Sequence, residues 1–388
     1  MAYDLLIKGG TVVDPSQGLN AVRDVALSAG KIAGLESQIS GSEAREVVDA
    51  SGLIVVPGLL DLHVHVFWGV SHFGVDADST SLARGVTTAV DAGSSGASTF
   101  RAFRRYVLER ADTRLYALLN ISAMGMISQE IGELEDLRWA DVEKAVTTSR
   151  ENRDFIVGIK ARLSRDTAGE HDADALKRAL DAAEQAGGFV MVHVGDTSTP
   201  LEQLTSMLRP GDVVTHAFHG RAQGILDATG RVKDVIKEAE QRGVVFDVGH
   251  GAGSFAFETA EKALTDGFPP GNISSDLHVY NVRGPVFDHV SVLSKFLHLG
   301  MSLYDVIRLS TETTAAVIGI GEKLGTLKMG AEGDVTLLRQ EEGDFTFTDA
   351  MGVSVKARQR LSHVLTIRRG RVYEPFDSHR TSATSLRA

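Results

Sequence analysis

Between Pro57 and Gly321 the chain alternates short, almost wholly apolar runs with stretches of helical periodicity. GLLDLHVHV, VTTAVDAG, RLYALLNISA, DFIVGIKARLS, GFVMVHVG, DVVTHAF, GVVFDVGHG and GNISSDLH each have a strand's length and a strand's β-branched and aliphatic content. WADVEKAVTTS, ADALKRALDAAEQAG and RVKDVIKEAEQRG, lying between some of them, carry apolar residues three and four apart, as amphipathic helices do. Strands that are apolar on both faces belong in a parallel sheet covered by helices. Eight such units over this length predict an α/β fold of the (β/α)8 barrel type. An open doubly wound sheet is the alternative, but no glycine-rich phosphate loop follows the first run.

The two ends have a different texture. YDLLIKGG, TVVDPSQG, DVALSAG and KIAGLES at the start, and GDVTLLRQ, DFTFTD, VLTIRRG and RVYEPF near the close, are short β-rich pieces, many stopped by Gly or Asp-Pro. All-β ends around an α/β centre are expected.

Composition then narrows the partners. Lys+Arg 40 against Asp+Glu 51 leaves a net charge of -11, which argues against nucleic acid or an anionic membrane. There is no cysteine, so a metal site would have to be built from histidine and carboxylate. MAYDLLIKGG lacks the basic and apolar regions of a secretory signal, and no apolar run reaches the roughly 18 residues of a membrane-spanning helix. A cytoplasmic protein is expected.

Barrels of this type carry catalytic residues at the carboxyl ends of their strands. His63 and His65 stand two apart in the first run and therefore share a face. Lys160 lies in the fourth run, His193 in the fifth, His216 in the sixth and Asp276 in the eighth. One strand histidine is most often an ordinary core residue; a pair on one face, with two more at equivalent strand ends, points to a metal centre. Lys160 strengthens this, because a buried amine must lose its charge or find a partner. His219 and His250 are placed at the pocket rim and His278 beside Asp276. His72, His171, His289, His298, His363 and His379 read as surface residues.

PGLLDLHVH after a β-rich start, followed by strand-end Lys, His, His and Asp and then by GAEGDVTLL, resembles the amidohydrolase superfamily over essentially the whole chain. Within it the chain is similar to the dihydroorotase-like deacetylases, through GIKAR, THAFHG and SSDLH. The resemblance implies a barrel over residues 57–324 and a small β-sandwich assembled from residues 1–56 and 325–388. It implies two zinc ions, the buried one on His63, His65 and Asp276 and the exposed one on His193 and His216. N6-carboxylated Lys160 and a hydroxide would bridge both ions. Hydroxide attack on a polarised carbonyl would follow, with Asp276 carrying the proton to the leaving group. A homo-oligomer is implied in the same way.

Departures from sister branches narrow the substrate. Dihydroorotases place an arginine directly after the histidine pair, where Val66, Phe67 and Trp68 stand here. Hydantoinases use a tyrosine after the third strand, and NISAMGMISQE has none. The resemblance therefore implies removal of an acetyl group from the ester or amide of a small α-substituted acid, such as acetyl-(R)-mandelate or an N-acetyl-D-amino acid. Arg162 and Arg283 are the candidate ligands of its carboxylate, His219 and His278 further contacts, and Phe67 and Trp68 an apolar wall. A cyclic amidase such as dihydroorotase is the alternative, and a non-catalytic scaffold a more distant one.

Overall fold

The computed structural model of the chain describes residues 2–375, so His379 lies outside the described residues. The chain begins with β1 (Tyr3–Asp14), β2 (Leu19–Ser28), β3 (Lys31–Glu36), β4 (Ala44–Asp49) and β5 (Ile54–Pro57). YDLLIKGG and TVVDPSQG, expected as two strands, are one. Its register against β2 slips between Ile7 and Gly10. Gly9 has a φ of +74° there, and a Cβ on Gly10 would lie 2.4 Å from Val55 Cγ2. The glycine pair makes a bulge under a close neighbour, not a turn.

A second sheet follows: β6 (Leu59–Val64), β7 (Val86–Gly96), β8 (Arg114–Asn120), β9 (Ile156–Arg162), β10 (Phe189–His193), β11 (Val213–Thr215) and β12 (Val245–Phe246). It is parallel throughout, and its spatial order is the chain order. The eighth apolar run forms no ladder strand. It joins the two edges of the curled sheet by single bridges, Asn272 to Asp247 and Leu277 to Val64. The His65 N–H donates to the Leu277 carbonyl at 3.0 Å, and the Val248 N–H to the Asn272 carbonyl at 3.1 Å. The run is irregular because Asp276 has a φ of +49°, which a β-ladder does not accept.

The expected helices form at Val142–Glu151, Asp172–Ala186 and Asp234–Gln241. The longest buries Ala175, Leu176, Ala179, Ala182 and Ala183, whose spacing makes a single face against the sheet. No helix among the described residues is long and apolar enough to cross a membrane.

The chain closes with β13 (Val335–Thr348), β14 (Ser354–Arg368) and β15 (Arg371–Tyr373), which return to the first sheet in the order β15-β14-β13-β5-β1-β2-β3, with β4 on β1. GDVTLLRQ and DFTFTD are thus one long strand. Residues from both ends of the chain, among them Leu5, Val25, Leu27, Val335 and Ile367, share one apolar core. The outer part of the β13–β14 hairpin leaves that core, and its Leu338 and Leu361 pack with the barrel's own residues. The two sheets are also clamped by charge. Glu332 pairs with Lys31, Arg369 and the barrel's Arg114, and Arg114 also pairs with Asp334.

Candidate active site

His63 and His65 leave the end of β6 on one face, and their Nε2 atoms lie 3.3 and 3.2 Å from the same Asp276 oxygen. One ligand atom each of His63, His216 and Asp276 lies within 4.8 Å of the others. The His193 ring, partly exposed at the mouth, stands 4.3 Å from the His216 ring. Lys160 is fully buried, with Nζ 3.5 Å from His63 Nε2 and 3.4 Å from Met191 Sδ. Residues from five separate runs thus meet at the carboxyl end of the barrel.

The outer nitrogens are held from behind. Thr215 donates its hydroxyl proton to Asp247 at 2.7 Å, so it accepts from His63 Nδ1–H at 2.9 Å. His216 Nδ1–H donates to the Gly249 carbonyl at 2.6 Å. In both rings the proton sits on Nδ1 and the Nε2 lone pair faces the centre. His65 Nδ1 lies 2.9 Å from the Ser94 hydroxyl, whose backbone N–H is in turn fixed on Asp91 at 2.7 Å.

Backbone strain is concentrated here. His216 and Asp276 both take left-handed φ values, +68° and +49°. For non-glycine residues this persists only where surrounding contacts impose it. Glycines make room: a Cβ on Gly249 would lie 2.2 Å from Thr215 Oγ1, and one on Gly251 2.4 Å from Asp276 Oδ2.

Burial also sets the protonation. It drives His63, His65 and His193 well below the usual histidine range and His216 to about 3, so all four rings are neutral. It lowers Lys160 to about 7 and raises Asp276. Neutral imidazoles with inward lone pairs beside a carboxylate form a donor set suited to a borderline divalent cation.

The outer candidates divide. His278 is buried with Nε2 3.9 Å from Asp276 Oδ2. His219 is buried, accepts at Nδ1 from the Arg221 N–H at 3.0 Å, and has no hydrogen-bond partner at Nε2 among the described residues. Arg162 forms an ion pair with Glu133 at 3.4 Å, without a hydrogen bond to that oxygen, and lies over the Phe73 ring. Arg283 is exposed, and among the described residues no hydrogen bond or ion pair ties it to the cluster. Phe67 packs inward on Phe103 and Trp68 points to solvent, so neither forms the expected wall. Phe73 takes that place, stacked on His65 at 5.1 Å and 4.8 Å from the His278 ring. His250 is not at the rim; it is buried, and its Nε2 accepts from Lys295 Nζ at 2.6 Å. His289 is likewise buried, facing Asp61 at 3.4 Å, and not a surface residue. Asp91 and Asp247, overlooked in the sequence, end apolar runs and meet the same strand-end criterion as Asp276. Nothing in the sequence pointed to Arg221.

A curled parallel sheet with neutral histidines, a buried lysine and an aspartate gathered at its carboxyl end is the arrangement of a barrel hydrolase. The amidohydrolase family profile matches residues 54–357, and the chain belongs to that family. It is 34% identical to a deacetylase of Enterococcus faecalis over 96% of this chain and 100% of that one. A deacetylase of Agrobacterium fabrum is 32% identical over 83% and 79% of the two chains. Among solved structures, one titled an adenine deaminase superposes with a TM-score of 0.89 at 34% identity, covering 96% of this chain and 100% of that one. One titled a dihydroorotase gives 0.87 at 29% identity over 95% and 99%.

Proposed function

We propose that this amidohydrolase is a binuclear zinc deacetylase that cleaves the acetyl ester or amide of a small α-substituted carboxylic acid. The observation that carries the proposal is the convergence of His63, His65, Lys160, His193, His216 and Asp276, combined with deacetylase relatives that align over most of the chain. His63, His65 and Asp276 would hold one ion, His193 and His216 the other, and carboxylated Lys160 both. The metals, when bound, supply Lewis acidity and water of lowered pKa. Carboxylation suits Lys160, since among the described residues no carboxylate lies within hydrogen-bonding distance of its amine. The modification converts that amine into an anionic oxygen ligand.

Asp276 is placed to accept a proton next to His63 and His65 and return it to the leaving oxygen or nitrogen. His278 stands behind it, and Phe73 closes the apolar side. The partner is a small anionic molecule, and the sheet that strands within residues 3–57 and 335–373 build together supports reading the two ends of the chain as the family's β-sandwich. Deamination of adenine is the second reading, suggested by the adenine deaminase structure that superposes on this chain. The test is turnover by the zinc-loaded protein of acetylated 2-hydroxy acids, N-acetyl-D-amino acids, dihydroorotate and adenine. Faster turnover of dihydroorotate or adenine than of any acetylated acid overturns the deacetylase assignment.

A further inference from the structure

An anionic substrate requires a cation at the mouth, and the two arginines picked from the sequence do not supply a free one at the cluster. Arg162 is paired with buried Glu133, and among the described residues no hydrogen bond or ion pair ties Arg283 to the site. Arg221 is different. It is exposed, and none of the hydrogen bonds or ion pairs among the described residues uses its guanidinium. Nearby acids are already engaged. Glu258 takes Lys262 at 2.5 Å, and Asp349 takes the backbone N–H groups of Phe257, Met351 and Val353.

The side chain reaches the mouth of the barrel. The point where a Gly195 Cβ would stand is 3.9 Å from His193 Nε2, 3.9 Å from Arg221 Cδ and 4.0 Å from Arg221 Nε. A Cβ on Gly253 would stand 3.5 Å from a terminal nitrogen of the same guanidinium. Gly253 follows Gly251, which backs Asp276. Arg221, in the loop after β11, therefore lies between Gly195 of the loop after β10, close to His193, and Gly253 of the loop after β12, two residues beyond the glycine that backs Asp276. The loop that carries it is held in place. The Arg221 N–H is fixed on His219 Nδ1, and a Cβ on Gly220 would lie 3.3 Å from Met351 Cγ at the tip of the β13–β14 hairpin.

We propose that Arg221 is the specificity-determining residue that binds the substrate carboxylate, by a bidentate pair of N–H···O bonds, while the acyl group lies against His193 and His216. The assignment rests on the deacetylase reading for the acyl group and for the substrate carboxylate; the binding arm with mandelate alone tests Arg221 independently of hydrolysis.

The test compares the wild-type protein with Arg221→Met and Arg221→Lys, and with Arg162→Met and Arg283→Met. Mandelate binding to the zinc-loaded proteins is measured by calorimetry, and kcat and KM are measured for acetylmandelate and its methyl ester. Arg221→Met is expected to weaken mandelate binding about 10- to 100-fold and to reduce the preference for the acid over the ester by a similar factor, chiefly through KM. Arg221→Lys should restore part of both, and Arg283→Met should alter neither. Mandelate affinity of Arg221→Met within about twofold of wild type overturns the proposal, as does an equal loss for acid and ester. Failure of the wild type to bind the acid also overturns it. Arg221-dependent binding without hydrolysis of any acetylated acid would leave Arg221 as the carboxylate ligand and remove the deacetylase reading instead.

Discussion

His63 Nε2 and His65 Nε2 approach one oxygen of Asp276 at 3.3 and 3.2 Å, although the histidines leave the first barrel strand and the aspartate ends the last apolar run. The contact is made across the seam that closes the sheet. The bridge between Val64 and Leu277 fixes both neighbours of this arrangement. Asp276→Asn keeps the side-chain shape and removes the charge and the proton-accepting oxygen. It is expected to lower kcat by roughly 10²- to 10⁴-fold with folding retained, and to lower zinc content, checked by turnover, circular dichroism and metal analysis.

Lys160 is the second test of the centre. Lys160→Ala removes the amine that the proposed carbamate requires and opens space beside Met191 and His63. Loss of metal and of activity is expected, with partial recovery of both when acetate or propionate is added to occupy the space. Full activity without added acid would exclude a bridging role.

Gly249 supports the centre through space that a side chain would occupy. It has a φ of +46°, and a Cβ would meet Thr215 Oγ1 at 2.2 Å and His216 Nδ1 at 2.8 Å. Gly249→Ala must therefore displace the pair that orients His63 and His216. A stability loss of about 1–3 kcal/mol is expected, together with a proportionally larger loss of zinc affinity. Thermal melts and metal titration report the two quantities separately.

Glu332 links acid stability to the clamp between the two sheets. Burial opposes its ionisation, but hydrogen bonds from Lys31 and Arg369 and the charge of Arg114 outweigh this and hold its pKa at about 2 against an ordinary 4.5. The folded protein keeps Glu332 charged where the unfolded chain has already taken up the proton. Its stabilising contribution is complete above about pH 4.5 and is lost as pH falls toward about 2. The melting temperature of the wild type should fall more steeply over that window than that of Glu332→Gln. Parallel curves would show that the clamp contributes no pH-dependent stability.

Much of the barrel was legible because strands buried on both faces must be apolar, which makes a polar residue at a strand end conspicuous. His63, His65, Lys160, His193, His216 and Asp276 stood out for that reason. Asp91 and Asp247 meet the same criterion, and nothing in their local sequence separates them from ordinary turn residues. The end strands were harder to delimit. Gly9 and Gly10 suggest a turn until Val55 is known to lie against them, and GDVTLLRQ and DFTFTD suggest two strands until β14 is found pairing along both.

By itself, then, the sequence determined the alternation of strands and helices, the polar residues offered at the strand ends and the donor types available in a chain without cysteine. These follow from local periodicity and side-chain chemistry. Only the tertiary structure decided which of them are free to act. It pairs Arg162 with Glu133, moves Phe67 into the core and His250 behind the site, and brings Arg221 from the loop after β11 to the mouth close to His193. Ion pairing, ring packing and the path of a loop depend on residues distant in the chain, which no local pattern encodes.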